Sequence, residues 1–118
     1  MPKKPGNDSF VEFVCEQFAP LGTITARRMM GGKTLYCDGV IFALIGHGAV
    51  FLKADDENRP TFEARGWPAF RPDPDAPGTM SYYEVPADVL ENRDELARWA
   101  AEAVAAGRRS AGKKKRKK

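Results

Sequence analysis

The chain has 118 residues, enough for one domain of ordinary size, and 42% of them are hydrophobic, with seven Phe among them, which suits a packed core without staples. Two cysteines in no spaced framework point to a reducing compartment, the charged start MPKKPGNDS lacks the apolar stretch of a secretory signal, and no apolar run reaches the 18 residues of a membrane span. Eight of the 19 basic residues lie in 108–118 without an acid, so the other 11 face all 16 acids and residues 1–107 carry −5.

Residues 1–7 read as a flexible arm, 8–107 as the folded domain and 108–118 as a disordered basic tail. Ser9 and Glu12 have the spacing of a capping box, so a helix is expected from Phe10 to about Ala19, with Phe10, Phe13, Val14 and Phe18 at helical spacing. Pro20 and Gly22 stop it. Strands are then expected at 23–30, 33–37, 40–46 and 49–54. The turn signals between them are Gly31-Gly32, Asp38-Gly39 and His47-Gly48. Asp55, Asp56 and Glu57 suit the positive end of a helix dipole, and Gly66 suits the residue after the helix. A short strand at 67–70, a proline-rich loop at 71–79 and a strand at 80–85 follow. After Pro86 a turn of helix is expected. The last helix starts at Asn92 with Glu95, presents Leu96, Trp99, Ala100, Ala103 and Val104 on one face, and ends at Gly107.

Helices are not interleaved regularly with strands. The fold class is therefore α+β, an antiparallel sheet with helices packed on one face. Residues 40–45 are apolar on both strand faces, so the second face needs a cover, and a partner subunit is one candidate.

Few residues suggest chemistry. Gly32-Lys33-Thr34 ends like a phosphate-binding loop, but Arg27 stands where the earlier glycine belongs and a strand, not a helix, follows. His47 is the only histidine and sits at a hairpin tip, which leaves no nucleophile–base pair and no soft-ligand metal site. No cofactor is implied. Arg27 and Arg28 could clamp a phosphate or carboxylate, although neighbours on a strand point to opposite faces. Together with Gly31, Gly32 and Lys53 they form the candidate functional surface. Tyr82 and Tyr83 could stack bases, but core packing is the simpler account. Arg108, Arg109, Lys113, Lys114, Lys115, Arg116, Lys117 and Lys118 would attract any polyanion without reading sequence, or only keep the chain soluble.

Several of these segments together resemble the N-terminal domain of the TfoX/Sxy family. They are residues 26–32 (ARRMMGG), 35–45 (LYCDGVIFALI), 51–55 (FLKAD), Asn58 with Phe62, and 80–86 (MSYYEVP), within a span of about 9–106. The resemblance implies a two-layer sandwich in the order α-β-β-β-α-β-β-α, often dimeric, in a bacterial cytoplasmic protein. It also implies a regulatory role linked to competence genes, beside the transcription machinery, and carries over no catalytic residues. In long members a helical domain follows; here the basic tail follows. The expected function is a non-catalytic regulatory adaptor acting through protein contacts, with tail-assisted nucleic-acid association and no membrane partner. One alternative is a nonspecific nucleic-acid-binding protein. The other is a small-ligand binder or enzyme with Arg27, Arg28 and Lys53 near a pocket.

Overall fold

The computed structural model describes residues 8–29, 32–46, 48–70 and 81–116. The arm at 1–7, Met30 and Gly31, His47, the loop at 71–79 with Met80, and Lys117 and Lys118 lie outside the described residues.

Helix α1 spans Asp8–Phe18, two residues earlier at its start than the Ser9 cap predicts, so Ser9 lies inside the first turn. It buries Val14 and Phe18 completely, and Phe10, Val11 and Cys15 pack beside them. A short 3-10 turn, Ala19–Leu21, takes the chain through Pro20 into the sheet.

The sheet has five strands, β1 (Ile24–Met29), β2 (Gly32–Cys37), β3 (Val40–Gly46), β4 (Ala49–Lys53) and β5 (Tyr82–Glu84), in the spatial order of the chain. All neighbours pair antiparallel. The β2–β3 turn works as Asp-Gly predicts: Asp38 and Gly39 both have positive φ, 51° and 85°, which matches the right-handed twist of the hairpin. The expected strand at 67–70 is reduced to a single bridge between Ala69 and Tyr83.

A bulge decides which residues of β3 face inward. Leu35 pairs with Ala43 and Tyr36 with Ile41, so Phe42 is the extra residue. Two consecutive residues, Phe42 and Ala43, therefore join the main core, where strict alternation would have sent one of them out. Phe18 meets Phe42 edge to face at 4.9 Å.

The main core lies on one face of the sheet, under all four helices. Besides α1 these are α2 (Arg59–Ala64), α3 (Ala87–Glu91) and α4 (Arg93–Arg116). The acids at 55–57 precede α2 rather than filling its first turn. Helix α2 ends in a Schellman motif: the Gly66 N–H donates to the Glu63 carbonyl at 3.0 Å and the Trp67 N–H to the Phe62 carbonyl at 3.2 Å. Gly66 has the required φ of 78°, and Trp67 stacks on Phe62 at 5.4 Å as the accompanying apolar contact. Trp99 and Tyr83 complete an aromatic cluster around the buried Phe62.

The other face of the sheet is covered within the same chain. Leu44, Phe51, Phe70 and Tyr82 form a second, smaller cluster, with Phe70 against Phe51 at 4.6 Å. Leu44 and Phe51 are 4% and 6% exposed, so burying the doubly apolar strand does not require a partner subunit.

Helix α4 departs most from expectation. Its start is as predicted, with the Asn92 side chain accepting from the Glu95 N–H at 3.1 Å. Its end is not. Gly107 is not a terminator: the helix continues to Arg116, so residues 108–116, expected as a disordered tail, are helical. Gly107 is buried against β3, where a Cβ would collide with the Ile41 carbonyl oxygen and lie 2.7 Å from Val40 Cγ1. The missing side chain serves close packing of helix on strand.

Candidate functional site

The sheet separates the residues of the candidate surface. Alternation along β1 puts Ile24, in the main core's fringe, on the helix side together with Arg28. Arg27 points to the opposite face, where its guanidinium lies 5.9 Å from the Tyr36 ring centroid. Lys53 shares that opposite face, with its ammonium 5.2 Å from the Tyr82 ring. Three strand spacings separate β1 from β4, about 14 Å. Arg27, Arg28 and Lys53 therefore do not converge on one pocket. Gly32 pairs with both Met29 and Gly46, and a Cβ there would run into the Ile45 carbonyl oxygen. Its role is backbone approach, and Gly31 lies outside the described residues.

Burial pushes the Tyr82 phenol up to about 12, and nearby Tyr36 adds to the shift. The Tyr83 hydroxyl donates to Glu63 at 2.9 Å, and burial, then that bond, raises its pKa. Both phenols stay protonated near neutrality. Burial also raises Cys15 and Cys37, the second helped by Asp38, so neither is an activated thiolate. Among the described residues no cluster of three or more His, Cys, Asp or Glu could hold a metal ion.

The densest polar arrangement lies elsewhere, at the junction of β4, α2 and α4. Asn58 is 1% exposed and uses its whole amide. Its oxygen accepts from the Asp55 N–H at 2.7 Å, and its nitrogen donates to the carbonyls of Lys53 at 3.1 Å and Glu102 at 3.2 Å. Asp55 accepts from the N–H groups of Glu57 and Asn58 and takes a two-pronged bond from Arg109 at 2.6 and 2.9 Å. The Arg109 guanidinium, helped by those N–H groups against the opposing effect of burial, holds the Asp55 carboxyl at about 2. Glu57 stands 3.5 Å from the same guanidinium.

This junction corrects one residue of the basic set. Arg109 is fixed to the body instead of being offered to a polyanion. Arg108 is exposed, and its charge is felt at Cys37. Lys113, Lys114, Lys115 and Arg116 lie on the last part of α4. Sequence reasoning missed the Asn58–Asp55–Arg109 connection because Arg109 lies 54 residues beyond Asp55. Asn58 sat in a segment read as a helix start, and Arg109 in one read as disordered.

The geometry defines a class first: a small α+β domain with an open antiparallel five-stranded sheet and helices on one face. Residues 16–107 match the TfoX N-terminal domain family, and the chain belongs to that family. No curated protein matches the chain. Among the described residues no helix is long and apolar enough to cross a membrane.

Proposed function

We propose that this chain is a regulatory adaptor of the TfoX type, a non-catalytic bacterial cytoplasmic protein whose body contacts another protein and whose C-terminal helix adds nonspecific attraction to nucleic acid. The transcription machinery is the partner class that the family suggests, and control of competence genes the process. The observation that carries the reading is the continuous helix α4. It runs from the buried core at Leu96 and Ala100, past the Arg109–Asp55 anchor, to the cations of residues 113–116. Those cations therefore have a fixed attachment to a body that is net negative. A phosphate backbone is attracted to such an arm without base readout, and partner specificity is left to the body.

Crosslinking and capture from the cells that express it, with the full chain and with residues 1–112, tests both halves. The same partner proteins should come with both chains, and nucleic acid only with the full one. In gel shifts on two unrelated duplexes the full chain should bind both alike. Engaging about five phosphates gives a log–log salt slope of roughly −4 to −5. Sequence-selective binding by residues 1–112 would sink this reading, as would capture of no protein by either chain.

A further inference from the structure

The sheet has two edges, β1 and β5. The β5 edge is short and occupied. The Phe70 N–H donates to the Tyr82 carbonyl at 2.7 Å and the Glu84 N–H to the Pro68 carbonyl at 2.8 Å. The β1 edge is six residues long, and among the described residues no backbone group bonds to its outer side. The Asp38 N–H bonds the Thr23 carbonyl at 2.8 Å, which sets the phase of the β1–β2 ladder. Thr25 and Arg27 thus turn their backbone groups toward β2, whereas Ile24, Ala26 and Arg28 turn theirs outward. An open row of this kind is a template for another strand.

The charge on this edge indicates what kind of strand fits. Arg27 and Arg28 are both exposed, one on each face. Arg28 stands directly across from Lys33, a like-charge pair that costs stability, and among the described residues no acid forms a salt bridge with Arg27, Arg28 or Lys33. At physiological salt the Debye length is about 8 Å, so these local cations outweigh the net charge of the distant body. We propose that the β1 edge receives an acidic extended segment of another protein, added antiparallel as a sixth strand. Two successive carboxylates of that segment meet Arg28 and Arg27 on opposite faces. A second copy fits less well, because it would bring two more arginines to the same ribbon and relieve none of the repulsion. This inference rests on the adaptor reading and gives it a surface.

The probe is a capped hexapeptide, Val-Thr-Glu-Glu-Val-Thr, titrated into the full chain with amide hydrogen exchange followed by NMR. At about 1 mM peptide, exchange at Ile24, Ala26 and Arg28 should slow by about tenfold, with little change at Thr25 and Arg27. Replacing both glutamates of the peptide by lysines should abolish the effect. Ala26→Pro removes one outward N–H and leaves the β2 ladder intact, so it should lose the peptide while keeping its circular dichroism. Arg28→Glu should lose it too, and serves alone if the proline variant does not fold. No response at these amides overturns the proposal. So does protection without peptide that grows with protein concentration, which would assign the edge to a second copy, and so does equal protection by duplex DNA. If the edge fails but captured partners persist in Arg28→Glu, the adaptor reading stands without this surface. If the wild-type chain captures nothing, the adaptor reading itself has failed.

Discussion

Cutting the chain after Gly107 should destabilise it, whereas cutting after Gly112 should not. The first cut removes Arg109 and the second keeps it. Arg109 reaches Asp55 with two nitrogens, at 2.6 and 2.9 Å, and the side chains are 32% and 24% exposed. Asp55 falls from an ordinary 3.8 to about 2, which would correspond to roughly 2 kcal/mol at 1.36 kcal/mol per pKa unit. Water reaches a quarter to a third of each partner, so screening leaves about 1 kcal/mol. For a domain of this size that is a fall of roughly 4 °C in Tm. The folded pKa lies below the unfolded one. The contribution is therefore full above about pH 4 and is lost as the pH falls toward 2. Thermal melts of the full chain, residues 1–112 and residues 1–107, at pH 7 and at pH 2.5, separate the cases. The first two should melt together at both values, and the third should fall below them at pH 7 with the gap narrowing in acid. Equal melting of 1–107 and 1–112 at pH 7 would refute the anchor.

Asn58→Ala removes three part-buried hydrogen bonds at once, to the Asp55 N–H and to the carbonyls of Lys53 and Glu102, and should cost about 2–4 kcal/mol in urea unfolding. Gly107→Ala gains up to about 1 kcal/mol of helix propensity but drives a methyl into the Ile41 carbonyl, so the net effect should be a loss of about 1–3 kcal/mol; any gain in Tm would show that α4 stands off β3. Trp99→Ala removes one ring of the cluster around Phe62, and since Trp99 is only partly buried the loss should be about 2–3 kcal/mol, with the near-UV circular dichroism of the Trp67–Trp99 contact disappearing.

Local signals were read well where the chemistry is local. Asp38-Gly39 demanded positive φ at two successive residues, Gly66 closed a Schellman motif, and Asn92 capped α4, each within a few residues of the event. The α+β class followed from element order alone. Glycine proved ambiguous where the reason for it was tertiary. Gly107 has the spacing of a helix stop, yet it is there to admit the backbone of β3, and nothing within its own segment says so. The bulge at Phe42 likewise needs the register of β2 before the double apolar face of β3 makes sense. The candidate surface was the least legible. Arg27, Arg28 and Lys53 look alike as cations in a sequence, but the pleat assigns Arg28 to one face and the other two to the opposite one, and the width of the sheet separates those two.

The sheet's spatial order, identical to its chain order, also sets how the domain folds. The β1–β4 pairings are hairpins between successive strands, and β5 joins β4 after one excursion through α2. Low sequence separation favours rapid assembly, with hairpins closing in roughly 1–10 μs. The expensive loop closure is the meeting of α1 with α3 and α4: the Gln17 amide donates to the Leu90 carbonyl of α3, 73 residues on, and accepts from Arg93 of α4, 76 residues on. The meander can zip up early, while the helical layer that seals its apolar face needs α1 from before the strands and α3 and α4 from after them. During synthesis α4 leaves the ribosome after all five strands, so the core of every new chain stays unsealed until that helix has emerged.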